Sequence, residues 1–480
     1  MEETKGIDSI LGYFREICKI PRCSGNEKAV SDFLLNFAVS HGVEAIRDDS
    51  LNIIMKKPAT IGYESSPAVM LQGHMDMVCV KTAESEHDFE SNPLDIEEMD
   101  GFLSARETSL GADNGVAVAY IMAIVADKKL KHPALECVIT TSEETGMDGV
   151  IGLDTEGLKS KILINLDSEE EGVFLASSAG GVNNQVNMHV SWENAFTNGY
   201  CSEICIKGLK GGHSGSEIDK GRGNAIKLMG RLMAELDGRG FRLLSIDGGS
   251  KRNAIAGHCR VQVVSSREYA DALDEIVVRM EGVFRNELKS SEPELKIEIE
   301  EKSIKSVMLD KASMENLVSF LRLVPCGVQT MSGDVPKLVE SSINLGVIKT
   351  EGNDIIITSS VRSSVESLKN EINGRIGSLC GLLQADMKLE ADYPGWEFVS
   401  ESYIREIMKK TYGQLFGKEP VIKAIHAGLE CGFLKEKMPG LDIISIGPDM
   451  FDVHSTRERL DIASTERTWQ FIVKTLENIK

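Results

Sequence analysis

Ten consecutive residues, Val116 to Val125, carry no charge, and they follow directly on the glycine-flanked acid of Ser109-Leu110-Gly111-Ala112-Asp113-Asn114-Gly115. A run this apolar cannot face water, so it reads as a helix inside a core, with the Asp113 carboxylate at the core's edge. Glycines on both sides let the backbone bend and approach whatever Asp113 touches. An Asp ahead of a helix is ordinarily a simple N-cap, and that reading stays open for the motif alone. Its company points further. Gly73-His74-Met75-Asp76 lies upstream, and Ser142-Glu143-Glu144-Thr145-Gly146, Asn165-Leu166-Asp167-Ser168 and Val453-His454-Ser455 lie downstream, each where an apolar strand runs out.

A chain of 480 residues with 42% hydrophobic content has enough apolar material for two or three domains. Its net charge of −21 would repel phosphate backbones and anionic bilayers, so neither nucleic acid nor membrane is an expected partner. Met1-Glu2-Glu3-Thr4-Lys5 shows no charged-then-apolar leader, and no apolar run approaches the ~20 residues of a membrane span, so a soluble, cytoplasmic protein is expected. The ten cysteines include no CxxC pair, which suits reduced, packed thiols better than a disulfide framework.

Apolar spacing predicts helices over Ile7 to Ile20 and Lys28 to His41, then strands over Leu51 to Met55, Ala68 to Leu71, Leu135 to Thr141 and Ile162 to Leu166, with Lys81 to Asp100 as an acidic surface loop. Strands alternating with helices imply an α/β sheet covered on both faces. Past Ser177-Ser178-Ala179-Gly180-Gly181 the order changes to strand, helix, strand, strand, helix, strand between Tyr200 and Glu300, a split βαβ unit. Helix Ala312 to Leu323, strands Leu338 to Ile348 and Asp354 to Val361, helix Val365 to Leu383 and strand Asp386 to Glu390 echo it, so the insert reads as two copies of one half-domain. After Tyr393-Pro394-Gly395-Trp396 the α/β pattern resumes and ends in a helix from Thr465. One domain is thus expected to be interrupted by another: 1–184 and 396–480 form the first, 185–395 the second.

The strand-end residues have a chemistry in common. His74 and Asp76 face the same way on an extended segment, so the Asp can accept the second imidazole N–H and hold the ring for a metal. Adjacent Glu143 and Glu144 repel unless a cation or a shared proton relieves them, although acid pairs are also common on surfaces. Asp167, alone, would be a solvated acid. Ligands of open α/β sheets gather at the carboxyl ends of strands. Imidazole and carboxylate without thiolate suit Zn²⁺, Mn²⁺ or Co²⁺, and a carboxylate able to bridge suggests two ions about 3.5–4 Å apart.

The ordered set His74-Met75-Asp76, Gly111-Ala112-Asp113-Asn114-Gly115, Glu143-Glu144-Thr145-Gly146, Leu166-Asp167 and His454 resembles that of the dinuclear metallopeptidases that include carnosinases, aminoacylases and carboxypeptidase G. The likeness covers nearly the whole chain. It implies a zinc-peptidase-like catalytic domain with a central mixed sheet flanked by helices, interrupted by an α+β lid of two ferredoxin-like half-domains. It further implies that Asp113 bridges two divalent ions, zinc first with Mn or Co as alternatives, that His74 and Asp167 complete one site and Glu144 and His454 the other, and that Asp76 orients His74. Glu143 would be the base for attack by a metal-bridging water, and the lid's His213, in Gly212-His213-Ser214-Gly215, would stabilise the oxyanion.

By the same resemblance Asn253 and Arg362 would hold the substrate's terminal carboxylate, an Arg offering a two-pronged match, although an Arg ending a strand is more often in a surface ion pair and Asn253 suits a turn. His426 and Glu430, in His426-Ala427-Gly428-Leu429-Glu430-Cys431-Gly432, would border the metal pocket. The strings Asn344-Leu345-Gly346 and Tyr393-Pro394-Gly395-Trp396 and the doubled lid resemble those of one branch of the family, and that resemblance implies cleavage of unblocked dipeptides, with Xaa-His substrates such as carnosine. Single-lid relatives imply a dimer. Here the insert is long enough for two half-lids, so each active site is expected to be completed within one chain, whether or not a homodimer forms by other surfaces. Two alternatives remain: a deacylase or other amidohydrolase using the same site, and an inactive metal-binding relative, which should have lost a ligand. None is lost.

Overall fold

The computed structural model describes residues 5–196, 198–303 and 307–480, so Met1 to Thr4, part of the sequence scanned for a leader, lie outside the described residues. The chain divides into two compact units: residues up to Ser177 with Phe398–Ala424 and Leu429–Lys480, and Ser178–Glu397 with Ile425–Gly428.

In the first unit the apolar run forms the helix Ala112–Ala126, buried on every side from Gly115 to Val125. It shares one core with Phe14 and Ile17 of the helix Lys5–Ile17 and with Phe471 and Ile472 of the helix Ile462–Asn478. An eight-stranded mixed sheet runs through this unit. At its centre, Leu135–Thr140, Val69–His74, Ile162–Asn165 and Asp442–Ser445 lie side by side and parallel. Their residues are almost all buried, as a sheet covered on both faces requires. Sheet and helix meet at Gly73, where a Cβ would stand 2.3 Å from Asn114 Oδ1 and 2.7 Å from Ala117 Cβ. Gly73→Ala is therefore expected to cost about 1–3 kcal/mol, measured by denaturant unfolding, because Asn114 is held by two further bonds and cannot simply retreat. An unchanged midpoint would mean that the contact yields freely.

The second unit carries a nine-stranded sheet in the order Lys296–Lys302, Tyr200–Lys207, Cys259–Ser265, Phe241–Gly249, Val339–Glu351, Asp354–Ser363, Gly180–His189, Asp386–Tyr393, with Gly327–Met331 beside Val339–Glu351. The first four strands and the helices Ala225–Leu236 and Arg267–Glu287 make one split βαβ unit. The second copy uses Gly180–His189 as its first strand, then the helix Lys311–Leu323, Val339–Glu351, Asp354–Ser363, the helix Glu366–Leu383 and Asp386–Tyr393. The first copy is thus inserted after the first strand of the second, rather than preceding it whole. The two join through three antiparallel pairs, Asp247 to Lys349, Gly248 to Ile348 and Gly249 to Val347.

Two local expectations change. Cys23 and Cys79 are joined by a disulfide with Cα atoms 5.7 Å apart, whereas Cys18, Cys137, Cys259, Cys380 and Cys431 are buried thiols. Cysteines 56 residues apart leave no spacing signal. The acidic stretch read as loop ends in a strand, Ile96–Met99, paired with Phe102–Ala105. Among the described residues no helix is long and apolar enough to cross a membrane.

Candidate active site

The carboxyl ends of the four central strands deliver most of the site. His74 is the last residue of its strand, Glu143 and Glu144 open a short helix just after Leu135–Thr140, Asp167 follows Ile162–Asn165, and His454 lies in the segment after Asp442–Ser445. Asp113 comes from the first turn of Ala112–Ala126, where Asp113 and Asn114 leave helical geometry. Its side chain does not act as an N-cap: Gly111 holds that position, with φ at +65°, a left-handed value that glycine adopts without penalty. Asn114 fastens the turn to two strands, its Oδ1 accepting the His74 N–H at 3.1 Å and its Nδ2 donating to Leu166 O at 2.9 Å.

Asp113 divides its two oxygens. Oδ1 lies 3.2 Å from His74 Nε2, and Oδ2 lies 3.2 Å from His454 Nε2. On the first side Asp167 Oδ1 is 3.5 Å from His74 Nε2; on the second Glu144 Oε1 is 2.8 Å from His454 Nε2. The ligand atoms of His74, Asp113 and Asp167 lie within 4.8 Å of one another, as do those of Asp113, Glu144 and His454, and those of His74, Glu143 and Glu144. Behind His74, Asp76 Oδ1 is 3.2 Å from the imidazole Nδ1, at ion-pair distance but off hydrogen-bond alignment. Asp76 also accepts from Ser24 Oγ at 2.7 Å and from the N–H groups of Glu143 and Glu144 at 3.1 and 3.3 Å. One carboxylate thus sets both the histidine and the turn that presents the two glutamates. His454 takes its place at a φ of +60°, an uncommon left-handed value for a side-chain-bearing residue.

The charges do not balance by themselves. Burial, with the charges of Asp167, Glu430 and Glu144, holds the Glu143 carboxyl well above its ordinary range. Burial and the charge of Asp113 push Asp167 up to about 8. Hydrogen bonds to Asp113 and Glu144 push His454 up to about 11, and although burial opposes it, Asp167, Asp113 and Asp76 keep His74 well above a free histidine. Burial would raise Asp76 too, but its contact with His74 and the bonds it accepts leave it below the usual carboxylate range. Protons therefore substitute for positive charge in a pocket of buried acids, and the donor set fits divalent cations in their place.

The remaining candidates divide between the units. Glu430, fully buried in the first, accepts from Gln72 Nε2 at 2.5 Å and Thr140 Oγ1 at 2.7 Å through Oε2, while Oε1 has no hydrogen-bond partner among the described residues, and burial pushes its carboxyl up to about 7. In the second unit, His213 Nδ1 accepts from the N–H groups of Gly215 and Ser216 at 3.3 and 3.2 Å. Burial and the nearby Arg362 charge lower the His213 pKa. Arg362 is nearly buried and donates to Tyr393 Oη at 2.9 Å; among the described residues it has no carboxylate partner, so it is not in a surface ion pair. His426 Nε2 is 2.7 Å from Ser342 Oγ, and burial with the Arg362 charge drives its pKa down to about 3. Asn253 sits exposed in a turn, its carbonyl accepting from the Ser214 N–H at 2.9 Å. Sequence reading passed over Ser24 and Asn114, whose bonds to the site are side-chain contacts across long stretches of chain.

Carboxylates and imidazoles converging at the carboxyl edge of an α/β sheet define the class of sites that hold divalent cations for hydrolysis. Within that class the chain belongs to peptidase family M20/M25/M40, which matches residues 70–478. It is 36% identical over 471 residues to the cytosol non-specific dipeptidase of Escherichia coli (strain K12), covering 97% of this chain and 96% of that protein. The crystal structure of aminoacylhistidine dipeptidase from Vibrio alginolyticus matches with a TM-score of 0.94 and 36% identity over 98% of this chain and 96% of that one. Aminopeptidase PepT from Bacillus cereus, 16% identical with a TM-score of 0.57 over 98% of each chain, shares the fold.

Proposed function

We propose that the protein is a metal-dependent dipeptidase acting on unblocked dipeptides, Xaa-His dipeptides such as β-alanyl-histidine among them, with two divalent ions, zinc first and Mn or Co as alternatives. The observation that carries this reading is the division of Asp113, one oxygen to each of two histidine-and-acid sets. His74 and Asp167 would hold one ion, Glu144 and His454 the other, and Asp113 both. Bound there, the ions would supply Lewis-acid polarisation and acidify water. Glu143 takes the base role because Glu144 is engaged with His454 and Glu143 belongs to neither set containing Asp113. It removes the proton from the attacking water and returns it to the leaving amine. Asp76 keeps His74 oriented.

Arg362, a buried cation without a carboxylate partner among the described residues, suits the substrate's terminal carboxylate, with Asn253 beside the His213 loop. Glu430 keeps one oxygen, without a hydrogen-bond partner among the described residues, for the amino end, and His426, held neutral, would meet an imidazole side chain. The similarity to a cytosol dipeptidase favours a cytoplasmic protein. A panel of free dipeptides, N-acylated amino acids and longer peptides, run with Zn²⁺, Mn²⁺ or Co²⁺, tests the reading. Cleavage confined to N-acyl substrates would replace it with a deacylase, and no cleavage with any metal would leave a binding protein.

His213 is proposed as the donor to the developing oxyanion. His213→Ala should lower turnover about 10²–10³-fold and leave metal content unchanged. Mixing His213→Ala with Glu143→Gln chains under subunit exchange should leave the sample inactive if each site is built from one chain; recovered activity would place His213 in trans and require a dimer.

A further inference from the structure

The turn that carries Asp113 is held by a side chain that none of the proposed roles uses. Glu458 is 3% exposed, and its carboxylate accepts four successive backbone N–H groups: Leu110 and Gly111 on Oε2 at 2.8 and 2.9 Å, Ala112 and Asp113 on Oε1 at 2.8 and 3.3 Å. The opposite polarity of the same turn meets Arg22, 2% exposed, whose Nη2 donates to Gly111 O at 2.5 Å while Nη1 donates to Met75 O and Asp76 O at 3.0 and 3.1 Å. Among the described residues neither charge takes part in a salt bridge. Each faces backbone dipoles, and such partners are what make a buried charge tolerable.

An ordinary capping side chain reaches one or two N–H groups of a regular first turn. Here Asp113 stands at φ −80° and ψ 106° and Asn114 at φ −117° and ψ 29°, so the turn is not helical, and a two-oxygen acceptor facing it can hold four donors in that shape. Glu458 also lies four residues after His454, whose Nε2 is 3.2 Å from Asp113 Oδ2. The segment from His454 to Glu458 therefore grips the Asp113 residue at both ends, side-chain oxygen and backbone nitrogen.

Building on the two-ion reading, we infer that Glu458 is a positioning residue that fixes the shared carboxylate of Asp113 against His454 and so sets the affinity of the site for its ions. Losing it should loosen both positions, because Asp113 belongs to each.

The test uses full-length, metal-stripped protein with Zn²⁺ as the probe, titrated by calorimetry and by competition with a chromophoric chelator. Glu458→Gln is nearly isosteric but turns an N–H₂ toward two of the four donors. It should weaken Zn²⁺ binding about 10–100-fold, the range for groups that orient metal ligands, and lower kcat at saturating metal with KM little changed. Glu458→Asp, which keeps the charge, should recover part of the affinity, and it carries the comparison if the Gln variant does not fold. A purely structural residue would lower the melting temperature of metal-free protein and leave Zn²⁺ affinity unmoved; wild type binding two ions and both variants binding them equally tightly would overturn the inference. Wild-type protein that binds fewer than two ions would overturn the two-ion reading itself.

Discussion

Glu143→Gln is expected to retain both metal ions and to lose about 10²–10⁴-fold in turnover, the usual contribution of a general base. Glutamine keeps the size and one acceptor oxygen of the side chain, and Glu143 belongs to neither ligand set that contains Asp113, so the substitution removes a proton acceptor and spares those ligands. The environment suits the role. Burial and the neighbouring acids hold this carboxyl well above its ordinary range in the metal-free cluster, which marks it as a group able to accept and keep a proton once the other charges are compensated. Kinetics alongside metal analysis decides the matter. A variant with near wild-type kcat would reassign the base, and one that has lost an ion would make Glu143 a ligand.

Stripping the metal should reduce hydrolysis to background, with recovery on adding Zn²⁺, Mn²⁺ or Co²⁺. Full activity in metal-free protein with excess EDTA would refute the mechanism. The same experiment has a pH signature. Without ions, Asp167 is pushed up to about 8, above its unfolded value, so the stability tied to its proton is fully present below about pH 4 and is lost as pH rises through about 8. The cation does what the proton did, and it must also displace the proton that Asp113 and Glu144 hold on His454. Both effects favour metal as pH rises. The gain in melting temperature on adding metal should therefore be larger at pH 8 than at pH 5, with about 2.7 kcal/mol available at a hundredfold excess over Kd. A gain that is equal or reversed would show that the acids are not the ions' ligands.

The strand-end acids and histidines were readable because their signals are local. A short apolar stretch ending in His74, or in Ser142-Glu143-Glu144, announces a strand and what stands at its tip within a few residues. Most elements of the second unit were readable for the same reason, down to the helix Ala225–Leu236, whose Asn224 side chain caps it by accepting from the Ile226 and Lys227 N–H groups. The strand Gly180–His189 was missed: its polar run Asn183-Asn184-Gln185 and flanking glycines carry no apolar alternation strong enough to outweigh a loop.

By itself the sequence determined much of the order of the elements, the apolar helix after Asp113, the net charge of −21, and the list of candidate metal ligands. Tertiary structure alone decided that the split βαβ unit between Tyr200–Lys207 and Lys296–Lys302 is inserted after the first strand of the other copy, that each oxygen of Asp113 faces a different histidine, and that Cys23 meets Cys79. It also decided that Arg22 and Glu458 hold one turn from opposite sides, the latter across as many as 348 residues of chain. Periodicity and turn chemistry act between residues near in sequence and leave a pattern there. A backbone N–H donates to any buried carboxylate that packing brings within reach, so the residue that will hold it leaves no mark until the chain has folded.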